Sequence, residues 1–181
     1  YIMLKSFKSR DSTKLKSYKK LLDIIRKYGP ASKSQLVSLT DLKLSSLVRG
    51  INTLMENGLI CIDEIGGSTG GRRPALYSIN PQAGYIIGID ISRTYTRVGL
   101  MDLDCNILQI SSFGMFEDST PSKTIAKICA LISEFSTKVD RQKLLGVGIG
   151  VVGPLDKERG MILNPTNFPA SGWENVSIKK M

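Results

Sequence analysis

Ser45, Ser46, Arg49 and Asn52, preceded by Lys43, recur at helical spacing, and Arg72 and Arg73 follow the run Gly66-Gly67-Ser68-Thr69-Gly70-Gly71. Small hydroxyls let a helix backbone approach phosphates, while Arg and Asn each offer paired hydrogen bonds to a guanine or adenine edge. Two arginines on a loop too glycine-rich to hold a structure of its own can reach a phosphate backbone or a minor groove. The chemistry these residue types support is nucleic-acid recognition. A solvated helix surface is the alternative for the first set, and a domain-interface salt bridge or plain solubility for the arginine pair. With no His in the sequence, histidine general-base catalysis and histidine metal ligation are excluded within these residues.

Holding such a face outward requires a helix with an apolar stripe behind it. Over residues 45–57, Leu47, Ile51, Leu54 and Met55 fall at offsets of four, seven and eight, which also leaves Thr53 pointing outward. Gly58 ends this helix in the left-handed conformation. Upstream, the spacing predicts a helix over residues 16–28, with Leu21, Leu22, Ile24, Ile25 and Tyr28 on one side and Lys19, Lys20, Asp23, Arg26 and Lys27 on the other. Gly29-Pro30 stops it. A short helix over residues 33–39, capped by Ser32, offers Leu36, Val37 and Leu39 to a core, and Thr40-Asp41-Leu42-Lys43 fits a turn. Residues 59–64 and 76–79 read as two strands of a hairpin flanking the glycine-rich loop. Helix, turn, helix, strand, basic loop, strand is the layout of a winged helix-turn-helix.

Charge divides in the same way. Through Gln82 there are fourteen Lys and Arg against six Asp and Glu, a net +8, whereas the remainder has eleven against ten, a net +1. A localised excess of this kind suits a polyanion. No basic amphipathic helix with an aromatic anchor is evident, and the apolar runs near residues 84–91 and 144–152 are too short to span a bilayer. No secretory signal is visible, so a cytoplasmic location is expected. Cys61, Cys105 and Cys129 are odd in number, widely spaced and set in apolar patterns, which predicts buried free thiols.

Beyond Asn80-Pro81 the pattern changes. Residues 85–91, 94–103 and 106–113 read as strands, the last two turned at Asp104-Cys105-Asn106. Thr120 as N-cap and Pro121 as first helical residue open a helix whose apolar face holds Ile125, Ile128, Cys129, Leu131, Ile132 and Phe135. Residues 144–154 form a strand running into a glycine turn. Three strands, a helix and a strand open an α/β domain with a mixed sheet.

Ser68-Thr69-Gly70-Gly71-Arg72-Arg73-Pro74, then Asn80-Pro81, Gly84-Tyr85, Gly88-Ile89-Asp90-Ile91 and residues 146–154, resemble the repressor branch of the ROK family (repressors, open reading frames and kinases). The resemblance runs from about Leu21 to Trp173, and its two motif sets belong to different domains in the expected order. Dense Lys and Ser with little apolar periodicity read as a basic tail over residues 1–16, and the resemblance implies a winged helix-turn-helix over 17–80 and, over 81–181, the first part of an α/β domain of the actin and hexokinase type, like a sugar kinase.

The resemblance implies a sugar-responsive transcriptional repressor and not an enzyme. Such a repressor is expected to bind a roughly palindromic double-stranded DNA operator as a homodimer or higher homo-oligomer, with a sugar or sugar phosphate as effector and no membrane. In the family's kinases the turn after the first strand carries glycines that let backbone amides approach ATP phosphates. Here Asp90 remains, but Ser92 and Arg93 stand at the glycine positions, where side chains obstruct that approach. Asp90 is then a remnant of a phosphate turn, either able to hold a metal or phosphate-linked water or serving as a structural carboxylate. An ATP-dependent sugar kinase with an appended basic domain is the alternative reading. The glycine-rich stretch 148–153 resembles the loop on the sugar side of the cleft, and Asn164-Pro165-Thr166-Asn167 with Trp173 resembles the segment that closes over it. Gly153, Thr166 and Asn167 are the implied sugar neighbours.

The family's catalytic base, main sugar ligands and His/Cys zinc cluster would lie beyond Met181, so no cofactor or metal is expected in this segment. The expectation is a fragment of a protein about twice as long, or a naturally shortened regulator.

Overall fold

Apolar residues at spacings of three and four make α1 (Thr13–Tyr28), which buries Tyr18, Leu21, Leu22 and Ile25 and leaves Lys19, Lys20, Arg26 and Lys27 exposed. The computed structural model describes residues 13–63 and 74–178. The helix begins earlier than its apolar spacing predicts, with the Ser17 hydroxyl donating to the Thr13 carbonyl at 3.2 Å. Tyr28, expected on the apolar side, is 48% exposed at the helix's last residue.

Next come β1 (Ala31–Ser32), which periodicity cannot detect in so short a strand, and α2 (Lys33–Leu39). Ser32 caps α2 as predicted, and Gln35 reciprocates by accepting from the Ser32 N–H at 2.8 Å. Leu36 is buried, but Leu39 stays 41% exposed because it falls on the outer side of the helix's final turn. Thr40 ends α2 and the turn leads into α3 (Leu44–Glu56).

Leu47, Gly50, Ile51 and Leu54 bury the inner face of α3. Gly50 is required by proximity: a Cβ there would lie 2.8 Å from Leu21 Cδ2 and 3.5 Å from Tyr18 Cδ1. Gly50→Leu is therefore expected to cost about 1–3 kcal/mol through overpacking against α1. The check is a lowered midpoint for thermal melting of the helical circular dichroism; an unchanged midpoint would show that the two helices can separate freely.

Gly58 takes φ +68 as anticipated, and the chain enters β2 (Ile60–Asp63), which pairs antiparallel with β3 (Leu76–Ile79) in the register Ile60↔Ile79 and Asp63↔Leu76. β1 adds to the far side of β3, giving the order β1-β3-β2. Arg72 and Arg73, between β2 and β3, lie outside the described residues. The three helices and this sheet share one core, from Leu21 and Ile25 through Leu36, Leu47 and Leu54 to Tyr77 and Ile79.

Contacts divide the chain after Gly84, with Leu103–Cys105 grouped with the first unit. The second unit holds β4 (Tyr85–Ile91), β5 (Tyr95–Asp102), β6 (Ile107–Gly114), α4 (Pro121–Ser136) and β7 (Leu144–Val151). The sheet order is β6-β5-β4-β7, with β4 antiparallel to β5 and parallel to β7. It is the mixed sheet that the strand and helix order predicts. The parallel return requires a crossover, supplied by α4. Ile87, Ile89, Ile91, Val98 and Leu100 cluster with Ile128 and Phe135 of that helix.

Thr120 precedes Pro121 as expected, yet its side chain makes no capping hydrogen bond. The cysteines are free but not buried. Cys105 is exposed at a turn with φ +66, Cys129 is exposed on α4, and Cys61 is half-buried. Apolar neighbours in the sequence did not reveal which side of each element the thiols occupy. After β7, the short strands β8 (Leu155–Asp156), β9 (Met161–Ile162) and β10 (Val176–Ser177) make a second small antiparallel sheet.

Candidate functional site

In the first unit, the outer face of α3 carries Ser45, Arg49, Asn52 and Glu56, all exposed and spaced by four, three and four residues. Ser46 stands beside this line. It and Arg49 border a groove of about 200 Å³ whose other walls are Ser17, Tyr18 and Leu21 of α1, with Leu42 and Gly50. Lys43 occupies the N-cap position, exposed and without a capping bond. No ion pair engages Arg49 or Lys43 among the described residues. Their charges are open to a ligand.

Thr53 departs from the outward position expected of it. It is half-buried, and its hydroxyl donates to the Arg49 carbonyl at 2.9 Å, which turns it back onto the helix. Glu56 is the residue that sequence reasoning missed, although the same spacing reaches it from Asn52. Lys20 pairs with Asp41 at 3.0 Å, tying α1 to the turn before α3.

In the second unit, Asp90 is exposed near the end of β4, opposite Arg97 on β5 and Gly150 on β7. Asp90 and Arg97 form no ion pair; the Arg97 guanidinium instead stacks 4.0 Å from the centroid of Tyr95. Ser92 closes the β4–β5 turn by donating its N–H to the Tyr95 carbonyl at 2.9 Å. From that turn Arg93 extends to the Thr166 carbonyl, with Nε donating at 2.9 Å.

Thr166 and Asn167 lie on a loop over residues 164–175. The Asn175 N–H donates to the Leu163 carbonyl at 2.7 Å and closes its neck. Trp173 anchors it: the indole is 1% exposed, its Nε1 donates to the Ser119 carbonyl at 2.9 Å, and its ring lies 4.8 Å from that of Phe168. Asn167 holds φ +56 and is exposed, so its amide is presented from a left-handed corner. Gly153 is also exposed, and the following Pro154 carbonyl accepts from the Leu163 N–H at 3.0 Å, beside the root of the loop. Gly148 and Gly150 sit within β7, so the glycine-rich stretch is mostly strand and only its end turns. An apolar cavity of about 430 Å³, lined by Ile149, Val151, Leu155, Met161, Ile162 and Ile178 among others, excludes Gly153, Thr166 and Asn167.

Residues 86–181 match the family model described as the ROK family. The chain belongs to the ROK family. Among curated relatives, the xylose repressor of Bacillus subtilis (strain 168) is 32% identical over 163 residues, covering 89% of this chain and 41% of that protein. The DNA-binding transcriptional dual regulator NagC of Escherichia coli (strain K12) is 25% identical over 152 residues, covering 83% of this chain and 37% of NagC. The chain thus spans about two fifths of the length of these relatives. A solved structure described as a ROK family transcriptional regulator, a homologue of the E. coli MLC protein, superposes with a TM-score of 0.61 at 18% identity over 90% of this chain and 41% of that one. The fold is shared over 90% of the chain.

Among the described residues, no group of three or more Cys, Asp or Glu is arranged to hold a metal ion, and no helix is long and apolar enough to cross a membrane.

Proposed function

We propose that this ROK chain is the DNA-binding and sugar-sensing portion of a cytoplasmic transcriptional repressor of carbohydrate-utilisation genes, relieved when a sugar or sugar phosphate binds the second unit. The observation that carries the reading is the exposed line of Ser45, Arg49 and Asn52 on α3, with a guanidinium at its centre that no carboxylate among the described residues pairs. On this reading the first unit is a winged helix-turn-helix: α3 enters a major groove and the segment bearing Arg72 and Arg73 serves as the wing. A homodimer then sets two copies of α3 in successive grooves of a roughly palindromic operator. The relatives' names, xylose repressor and transcriptional dual regulator, support both halves of the proposal.

The second unit acts as a sensor and not as a kinase. Ser92 and Arg93 put side chains on the turn where close approach to nucleotide phosphates favours glycine. Gly153, Thr166 and Asn167 are the sugar neighbours, and Asp90, exposed near the end of β4, is the remnant of a phosphate turn. Effector binding releases DNA only if the two conformations differ in sugar affinity.

The test is selection of bound fragments from the source genome by the full-length protein, repeated with a panel of sugars and sugar phosphates. One palindromic site, lost with one sugar, is the expected result; no preferred sequence, or sugar-dependent ATP turnover, would overturn the reading. Arg72→Ala with Arg73→Ala should weaken specific and non-specific DNA alike and reduce the dependence of log affinity on log salt by about one to two. An unchanged salt slope in a filter-binding titration would remove the pair from phosphate contact.

A further inference from the structure

Arg93 joins two segments far apart in the sequence: its backbone belongs to the β4–β5 turn, while its Nε donates to the Thr166 carbonyl at 2.9 Å. No carboxylate pairs with it among the described residues, so that carbonyl is its hydrogen-bond partner. The loop it reaches is held firmly elsewhere, by Trp173 in the core and by the Asn175 to Leu163 bond at its neck. Around Thr166 and Asn167 the situation differs, since both are exposed and Asn167 sits in a left-handed backbone conformation that an L residue adopts at a cost. A charge-assisted hydrogen bond to the carbonyl immediately before Asn167 restricts the peptide that sets the direction of its amide.

We propose that Arg93 is a positioning residue for the effector: through the Thr166 carbonyl it fixes the Thr166–Asn167 corner in the orientation that binds the hydroxyls of a sugar. This rests on the sensor reading of the second unit and deepens it. A position at which bare backbone would suit a nucleotide's phosphates carries, in this chain, a side chain that organises the sugar side. Recognition of a polyhydroxylated ring depends on hydrogen-bond direction, so loosening this corner weakens sugar binding without removing a sugar-contacting group.

The experiment measures sugar affinity of the full-length protein by calorimetry, using the sugar that releases its DNA, for wild type, Arg93→Met and Arg93→Lys. Methionine keeps the aliphatic reach and loses the donor; lysine keeps a cationic donor. The expected result is a sugar Kd raised roughly tenfold in Arg93→Met, substantially restored in Arg93→Lys, with DNA affinity in the absence of sugar and the thermal midpoint unchanged. A Kd within twofold of wild type in Arg93→Met overturns the proposal, as does a loss in Arg93→Lys equal to that in Arg93→Met. A wild-type protein that binds its operator but no sugar is a distinct outcome: it defeats the sensor reading itself, and the role of Arg93 falls with it.

Discussion

Trp173→Ala is expected to destabilise the second unit by about 3–5 kcal/mol, the range for deleting a large buried aromatic side chain. The indole is almost wholly buried among residues of the β4–β5 core and contacts Phe168, so truncation leaves a cavity in contact with both the sheet's core and the 164–175 loop. Its Nε1 bond to the Ser119 carbonyl is also lost, although Thr124 Oγ1 still donates to that carbonyl at 3.4 Å. The orphaning penalty is thereby softened, and the cavity dominates. Amide hydrogen exchange separates the two units: β4 and α4 should lose protection, while α1 and α3, built on their own core, should keep it. Sugar affinity should fall as well, because the loop that carries Thr166 and Asn167 loses its anchor. Unaltered protection in β4 would mean that the indole contributes little despite its burial.

Arg49→Ala should abolish most sequence preference at one position of each half-site, a loss of about 1–3 kcal/mol, or roughly ten- to a hundredfold. Arg49 lies at the centre of the exposed line on α3, beside a groove that α1 helps to form, with no carboxylate paired to it among the described residues. Competition binding between the selected operator and random duplex reads the effect directly. If both affinities drop equally, Arg49 contacts phosphate and base readout must be assigned to Asn52 or to Glu56, whose carboxylate can accept from cytosine.

Much of the fold was legible because its signals are local. The stripe of Leu47, Ile51 and Leu54 defined α3 to within one residue at each end, and the Gly58 terminator adopted the conformation inferred for it. The order of three strands, a helix and a strand implied a mixed sheet, since only the last strand is preceded by a crossover long enough for parallel pairing. Less was legible where a residue's environment depends on a second element. Periodicity placed Tyr28 and Leu39 inward, and Cys129 among core residues, but each needed a partner surface that does not cover it. Thr53 went the other way, drawn onto its own backbone by a hydroxyl that helical spacing ignores.

By itself, the sequence determined the longer helices and strands, the concentration of positive charge in the first segment, most of the outward polar face of α3 and the side chains at the β4–β5 turn. These follow from residue type and spacing within a few turns of chain. Tertiary structure alone decided that Gly50 lets α1 and α3 meet, that Trp173 roots the 164–175 loop, and that Arg93 reaches Thr166. Each of these contacts joins segments far apart in the sequence, and their closeness is set by how the helices and sheets pack, which no local pattern encodes.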